Sequence, residues 1–168
     1  MRVALVPPCN SSKGDRFQLC HAQLSLVALS FARGSVIAGG SSNTASGSNS
    51  TIAGGGDNIA LAEESTIAGG RENTARARYT SIGGGLWNHA LGFIASVAGG
   101  ASNSATQQYS TVGGGRENIA RAAWATIGGG LWNTVVSELG SIGGGIENVA
   151  SYRATVGGGY GNTAVRPC

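Results

Sequence analysis

Ser110-Thr111-Val112-Gly113-Gly114-Gly115-Arg116-Glu117-Asn118-Ile119-Ala120 is one copy of a unit that returns along most of the chain. Ile or Val recurs at positions 37, 52, 67, 82, 97, 112, 127, 142 and 156. Six residues after each comes an asparagine: Asn43, Asn58, Asn73, Asn88, Asn103, Asn118, Asn133, Asn148 and Asn162. A Gly pair stands between the two columns in all nine copies, and Ala, once Val135, follows each Asn by two. The Ile/Val spacing is 15 residues seven times and then 14. The consensus S-S/T-I/V-A/G-G-G-x-x-N-x-A is followed by four variable residues.

A Gly-Gly pair in every copy excludes a helical repeat, because each Gly costs about 0.8–1.0 kcal/mol relative to Ala inside a helix. Strands remain. With a period of two, Ile/Val points inward while the Ser/Thr before it and the Ala/Gly after it point outward. The Gly pair supplies a tight corner where φ > 0 is available. Asn and Ala then share the inward parity of a second strand, and the variable residues close the coil. Burying one Ile gains about 1.5–3 kcal/mol, whereas ordering each backbone residue costs about 1–2 kcal/mol, so a lone coil cannot hold. Stacked coils can, with Ile and Ala ladders inside and a ladder of Asn amides bonded from coil to coil. The expectation is an all-β, single-chain parallel β-solenoid over residues 35–168, with nine coils of about 15 residues and two short strands per coil. At about 4.8 Å per coil the rod is on the order of 40 Å long.

Composition agrees with a thin layered core: of 168 residues thirty are glycine, while aromatic residues make up 6% and charged residues 11%. The formal charge of +3 arises outside the repeats, from Arg2, Lys13, Arg16 and Arg33 against Asp15. Within residues 35–168 seven Arg balance seven Asp and Glu, so no clustered basic face for nucleic acid is expected. No stretch reaches the roughly 18 apolar residues of a membrane span. Residues 1–34 read as an irregular N-terminal segment or cap, in which 24–32 has the length of a signal-peptide apolar core. Cys9, Cys20 and Cys168 form neither a metal-ligand spacing nor a disulfide framework, which leaves their redox state open.

Catalysis needs unlike residues converging on one pocket, and here like residues repeat in straight columns. Gly113-Gly114-Gly115-Arg116-Glu117-Asn118 lacks the Gly-Lys-Ser/Thr of a phosphate loop and reads as a solenoid corner. Two aspartates, Asp15 and Asp57, are too few for the Asp column of a calcium-binding roll. His21 and His89 stand apart from any ligand set, and no catalytic residue, cofactor or metal site is expected. For the Arg76 and Arg121 column beside Arg71 and Arg116, ion pairing with Glu72 and Glu117 or plain solvation is expected rather than contact with an anion. Bulky residues collect at the corner after the Gly pair: Leu86, Trp87, Leu131, Trp132, Ile146 and Tyr160 make a candidate interface. The residue three before the next Ile/Val is also often large, as at Tyr79, Ile94, Tyr109, Trp124 and Leu139.

The unit resembles the head repeats of YadA-like trimeric autotransporter adhesins, both in residues 110–120 and in Ser42-Asn43-Thr44-Ala45-Ser46-Gly47-Ser48-Asn49-Ser50-Thr51-Ile52-Ala53-Gly54-Gly55. The resemblance covers about 80% of the chain and has no neck, heptad stalk or membrane-anchor barrel beside it. It implies a left-handed parallel β-roll, a homotrimer of chains side by side, and adhesion to a host, matrix or other surface, hence an extracellular or cell-surface setting. The expected function is that of a non-enzymatic structural or adhesive protein. The N-x-A step is also similar to the N-x-V-x-G repeats of plant ice-recrystallisation-inhibiting β-rolls. That alternative uses the outward hydroxyl column Thr51, Thr66, Ser81, Ser96, Thr111, Thr126, Ser141 and Thr155 as an ice-binding face. A third reading is glycan binding by Trp87 and Trp132.

Overall fold

The computed structural model describes residues 29–30 and 32–165. Residues 1–28, 31 and 166–168 lie outside the described residues, and with them most of the N-terminal segment, most of the signal-like stretch, His21 and all three cysteines.

The nine Ile/Val positions each sit in a two-residue strand, and these strands form a nine-stranded parallel sheet running from Val36–Ile37 to Thr155–Val156. The nine Asn-x-Ala segments, with Leu29–Ser30 ahead of them, form a second, ten-stranded parallel sheet ending at Thr163–Ala164. Its first strand lies within residues 24–32, where Leu29 pairs with Thr44 and Ser30 with Ala45. The chain is thus an all-β parallel solenoid of about nine coils, and no helix occurs among the described residues. None is therefore long and apolar enough to cross a membrane there.

Like residues stack in register: Ile52 on Ile67, Ala60 on Ala75, Ile142 on Val156. The shorter fourteen-residue spacing leaves this register intact, since Val149 still pairs with Thr163 and Ala150 with Ala164. Its missing residue is absorbed in the variable turn, where the Arg153 N–H reaches the Glu138 carbonyl at 3.0 Å. The core is two apolar ladders, Ile/Val from one sheet and Ala from the other, almost all fully buried.

A third inward column precedes each outward Ser/Thr. Ser65, Thr80 and Ser110 are buried there and donate their hydroxyls to the carbonyls of Ala62, Ala77 and Gln107 at 2.6, 2.7 and 2.5 Å. Ala95 and Ala125 fill the same place without a hydroxyl. Ser50 is buried too, and its Oγ has no hydrogen-bond partner. Since an unsatisfied buried hydroxyl costs about 1–3 kcal/mol, Ser50→Ala is expected to raise stability by up to about 1 kcal/mol after the lost packing is counted. A urea midpoint that falls instead would show that the hydroxyl is satisfied in solution.

Backbone conformation at the corners departs from the expectation. The second Gly of each pair is left-handed as anticipated, with φ between +83° and +101° from Gly40 to Gly159. Two further columns, however, are left-handed without being glycine. One precedes each Asn from Asn43 to Asn148 (Glu72 +56°, Trp87 +55°, Trp132 +56°), and one lies in the variable turn (Tyr79 +60°, Ile94 +56°, Tyr109 +58°, Trp124 +54°). For non-Gly residues this conformation costs roughly 1–2 kcal/mol. It turns each of these N–H groups onto the preceding coil: Trp87 N–H donates to Arg71 O at 3.1 Å, and Tyr109 N–H to Phe93 O at 2.8 Å. The coil-to-coil bond offsets the strain.

Candidate functional site

The described chain has a sealed interior and four outward surfaces: the faces of the two sheets and the two turns that join them. The buried Asn column belongs to the interior. Asn118 Nδ2 donates to the carbonyls of Gly114 at 2.9 Å and Gly130 at 2.8 Å, and its N–H donates to Asn103 Oδ1 at 3.0 Å. Its own Oδ1 accepts the Asn133 N–H at 3.0 Å. The backbone bond to the preceding Oδ1 repeats from Asn43 to Asn162, so the amides lock corner to corner along the rod.

On the nine-stranded sheet the hydroxyl column faces out. Thr66, Ser81, Thr111, Thr126 and Thr155 are exposed, and Thr51, Ser96 and Ser141 are half-buried. On the ten-stranded sheet the outward column Thr44, Ile59, Thr74, His89, Ser104, Ile119, Thr134, Val149 is half-buried. Burial, and secondarily the positive charge of Arg76, hold the His89 pKa below its ordinary value near 6.5. Below pH 6.5 the unfolded chain therefore binds a proton that the folded chain refuses, and stability falls as pH drops through that range. Replacing the imidazole by the threonine found at Thr74 in the same column removes this contribution. His89→Thr should narrow the drop in urea midpoint between about pH 7.5 and about pH 5. An unchanged drop would exonerate the imidazole.

The Gly-pair turn carries the bulky corner. Leu86, Leu131, Ile146 and Tyr160 occupy a column of parallel bridges, and Trp87 and Trp132 occupy the left-handed column beside it. Leu131, Ile146 and Tyr160 are consecutive neighbours, whereas Leu86 is separated from them by Ala101 and Arg116. Both indoles are about half exposed, at 48% and 46%. Each is tethered by its ring N–H to a carboxylate one coil back, Trp87 to Glu72 and Trp132 to Glu117, the second at 2.6 Å. Arg71 pairs with Glu72 at 3.3 Å and Asp57 at 3.6 Å, and Arg116 pairs with Glu117 at 3.1 Å. Arg, Glu and Trp thus form two copies of one small surface network three coils apart.

No family model matches this chain, and no curated protein is significantly similar to it.

The variable turn gathers large residues that stand far apart in the sequence. Tyr79, Phe93, Tyr109 and Trp124 form a continuous ridge across four successive coils. The first three rings meet edge to face at 5.7 and 5.8 Å, and the last two stack at 5.6 Å with planes 9° apart. Beside it an open, shallow depression of about 500 Å³ has Ala122 and Ala123 in its lining and Gln108, Glu138 and Tyr152 around them. Phe93 stands one column over from the large residues spaced three before each Ile/Val, so the sequence pattern does not mark it. Among the described residues no group of three His, Cys, Asp or Glu side chains is placed to hold a metal ion.

Proposed function

We propose that the chain is a non-enzymatic adhesive rod that works at a cell surface or outside the cell, binding a host, matrix or other surface in the manner of an adhesin head. The observation that carries this reading is the pair of tethered indoles. Trp87 and Trp132 are held by Glu72 and Glu117 yet keep about half their surface in water. Large aromatic groups fixed in place and exposed are the residue type that dominates binding hot spots, because little rotamer entropy is left to lose. The side-by-side trimer implied by the resemblance would use the same turn, through Leu131, Ile146 and Tyr160.

The test is binding to immobilised matrix proteins, cell surfaces and a glycan array. Trp87→Ala combined with Trp132→Ala should weaken binding at least about tenfold, a loss of about 1.4 kcal/mol, with an unchanged thermal midpoint. No binding to any of these surfaces by the full chain would end the adhesive reading.

A second reading draws on the in-register hydroxyl column of the nine-stranded sheet, flanked by the small outward residues Ala53, Ala68, Gly83 and Ala98. A flat face with one hydroxyl per coil would order water. Thermal hysteresis that disappears in Thr111→Leu with Thr126→Leu would favour ice as the ligand over a surface.

A further inference from the structure

Over seven coils, from Glu63–Glu64 to Tyr152–Arg153, the variable turn presents two columns side by side. The first carries Glu63, Arg78, Phe93, Gln108, Ala123, Glu138 and Tyr152, and the second carries Glu64, Tyr79, Ile94, Tyr109, Trp124, Leu139 and Arg153. Their alignment is set by the bonds from each second-column N–H to the first-column carbonyl of the preceding coil, as in Ile94 to Arg78, Trp124 to Gln108 and Leu139 to Ala123. The centre is apolar and the two ends are charged, the layout of an interface core with a polar rim. Glu64, Glu138 and Arg153 make no ion pair among the described residues, whereas Arg78 and Glu63 on this surface pair within one chain.

We propose that this ridge is an isologous interface through which two copies of the chain pair antiparallel, about a twofold axis at Tyr109. An axis lying in the interface and perpendicular to the rods keeps each column opposite itself and reverses the order of coils. Both pairings of charge with charge that result are complementary. Arg78 meets Glu138 of the second copy, and Glu64 meets its Arg153. Phe93, exposed and flanked by Tyr79 and Tyr109, meets Ala123, which is buried within the open depression, and so enters that socket as a knob. Ile94 meets Trp124, and Tyr109 meets itself.

Neighbouring registers lose this match, through like charges in one direction and through a carboxylate set on an apolar ring in the other. Shifting the axis half a coil toward the N-terminus sets Glu63 against Glu138, and shifting it half a coil the other way sets Phe93 against Glu138. A parallel pair in equal register sets Glu63 and Glu64 against the same two residues. Like charges directly opposed cost affinity and suppress the wrong arrangement. The two columns over seven coils supply fourteen residues a copy, fewer than the roughly 20–30 of a standard interface, so the dimer is a weak one.

The experiment is sedimentation equilibrium of the full chain from about 10 µM to about 1 mM, where interfaces of this size associate. The apparent mass should double across the range. Tyr109→Lys, which opposes two ammonium groups on the axis, should weaken association at least about tenfold while circular dichroism stays unchanged. Glu64→Arg and Arg153→Glu should each weaken it, and the double swap should restore it. Trp87→Ala with Trp132→Ala should leave the dimer intact, which separates this contact from the adhesive turn. Orientation is read by disulfide formation in a chain whose Cys9, Cys20 and Cys168 are changed to Ser. Ile94→Cys chains mixed with Trp124→Cys chains should cross-link, and Ile94→Cys chains alone should not. A monomer throughout, a swap that does not restore, association lost with Trp87 and Trp132 instead of Tyr109, or cross-linking by Ile94→Cys alone would each overturn the proposal.

Discussion

Gly70→Ala is expected to destabilise the rod by more than about 3 kcal/mol, whereas Gly69→Ala next to it changes stability by less than about 1 kcal/mol. Gly70 is left-handed at φ +83°, and a Cβ there would lie 2.1 Å from the carbonyl oxygen and 2.6 Å from the nitrogen of Gly85 in the next coil. Both atoms are backbone held in the ladder, since Gly85 O accepts the Arg71 N–H at 2.9 Å and Asn73 Nδ2 at 2.9 Å. Neither can give way without parting the coils. Gly69 meets nothing within 4 Å and has no left-handed φ, so alanine fits and lowers the entropy of the unfolded chain. Urea denaturation of the two variants decides the matter. Equal midpoints would mean that the coils are not stacked as closely as the Gly85 carbonyl places them.

Asn118→Ala should cost roughly 3–5 kcal/mol. The substitution removes the acceptor of the buried Asn133 N–H and the donor to Gly114 O. Two orphaned backbone groups at about 1–3 kcal/mol each, with the cavity added, reach this range. The Gly130 carbonyl is protected because it also accepts the Arg116 N–H at 2.9 Å. Asn118→Asp should not rescue, since a carboxylate keeps the acceptor but faces the Gly114 and Gly130 carbonyls without a donor. A midpoint shift equivalent to less than about 1 kcal/mol, at unchanged m-value, would show that coil stacking survives without its amide.

These variants mark where the sequence could be read and where it could not. The Ile/Val, Asn and Ala columns were legible because each position in a coil meets its own counterpart in the next, and a fixed environment admits one residue type. The Ser50, Ser65 and Thr80 column was half legible: its serines recur, but its place in the core follows only from parity with Ile two residues on. The left-handed corners at Trp87, Ile94 and Tyr109 were illegible, since such residues resist φ > 0 in isolation. Their conformation is imposed by bonds to the preceding coil.

The surface divides in the same way. Leu86, Trp87, Leu131 and Trp132 stand out as side-by-side bulky pairs in sequence. The Tyr79–Phe93–Tyr109–Trp124 ridge does not, because Phe93 reaches it from a neighbouring column and its continuity exists only between coils. By itself the sequence determined the coil length, the inward residues and the parallel solenoid, all consequences of a period that local burial and glycine geometry enforce. The tertiary structure alone decided which Gly of each pair is irreplaceable, which non-glycine residues are left-handed, and which side chains join into one ridge. Those properties arise from contacts between residues about fifteen apart, and no reading within a single coil contains them.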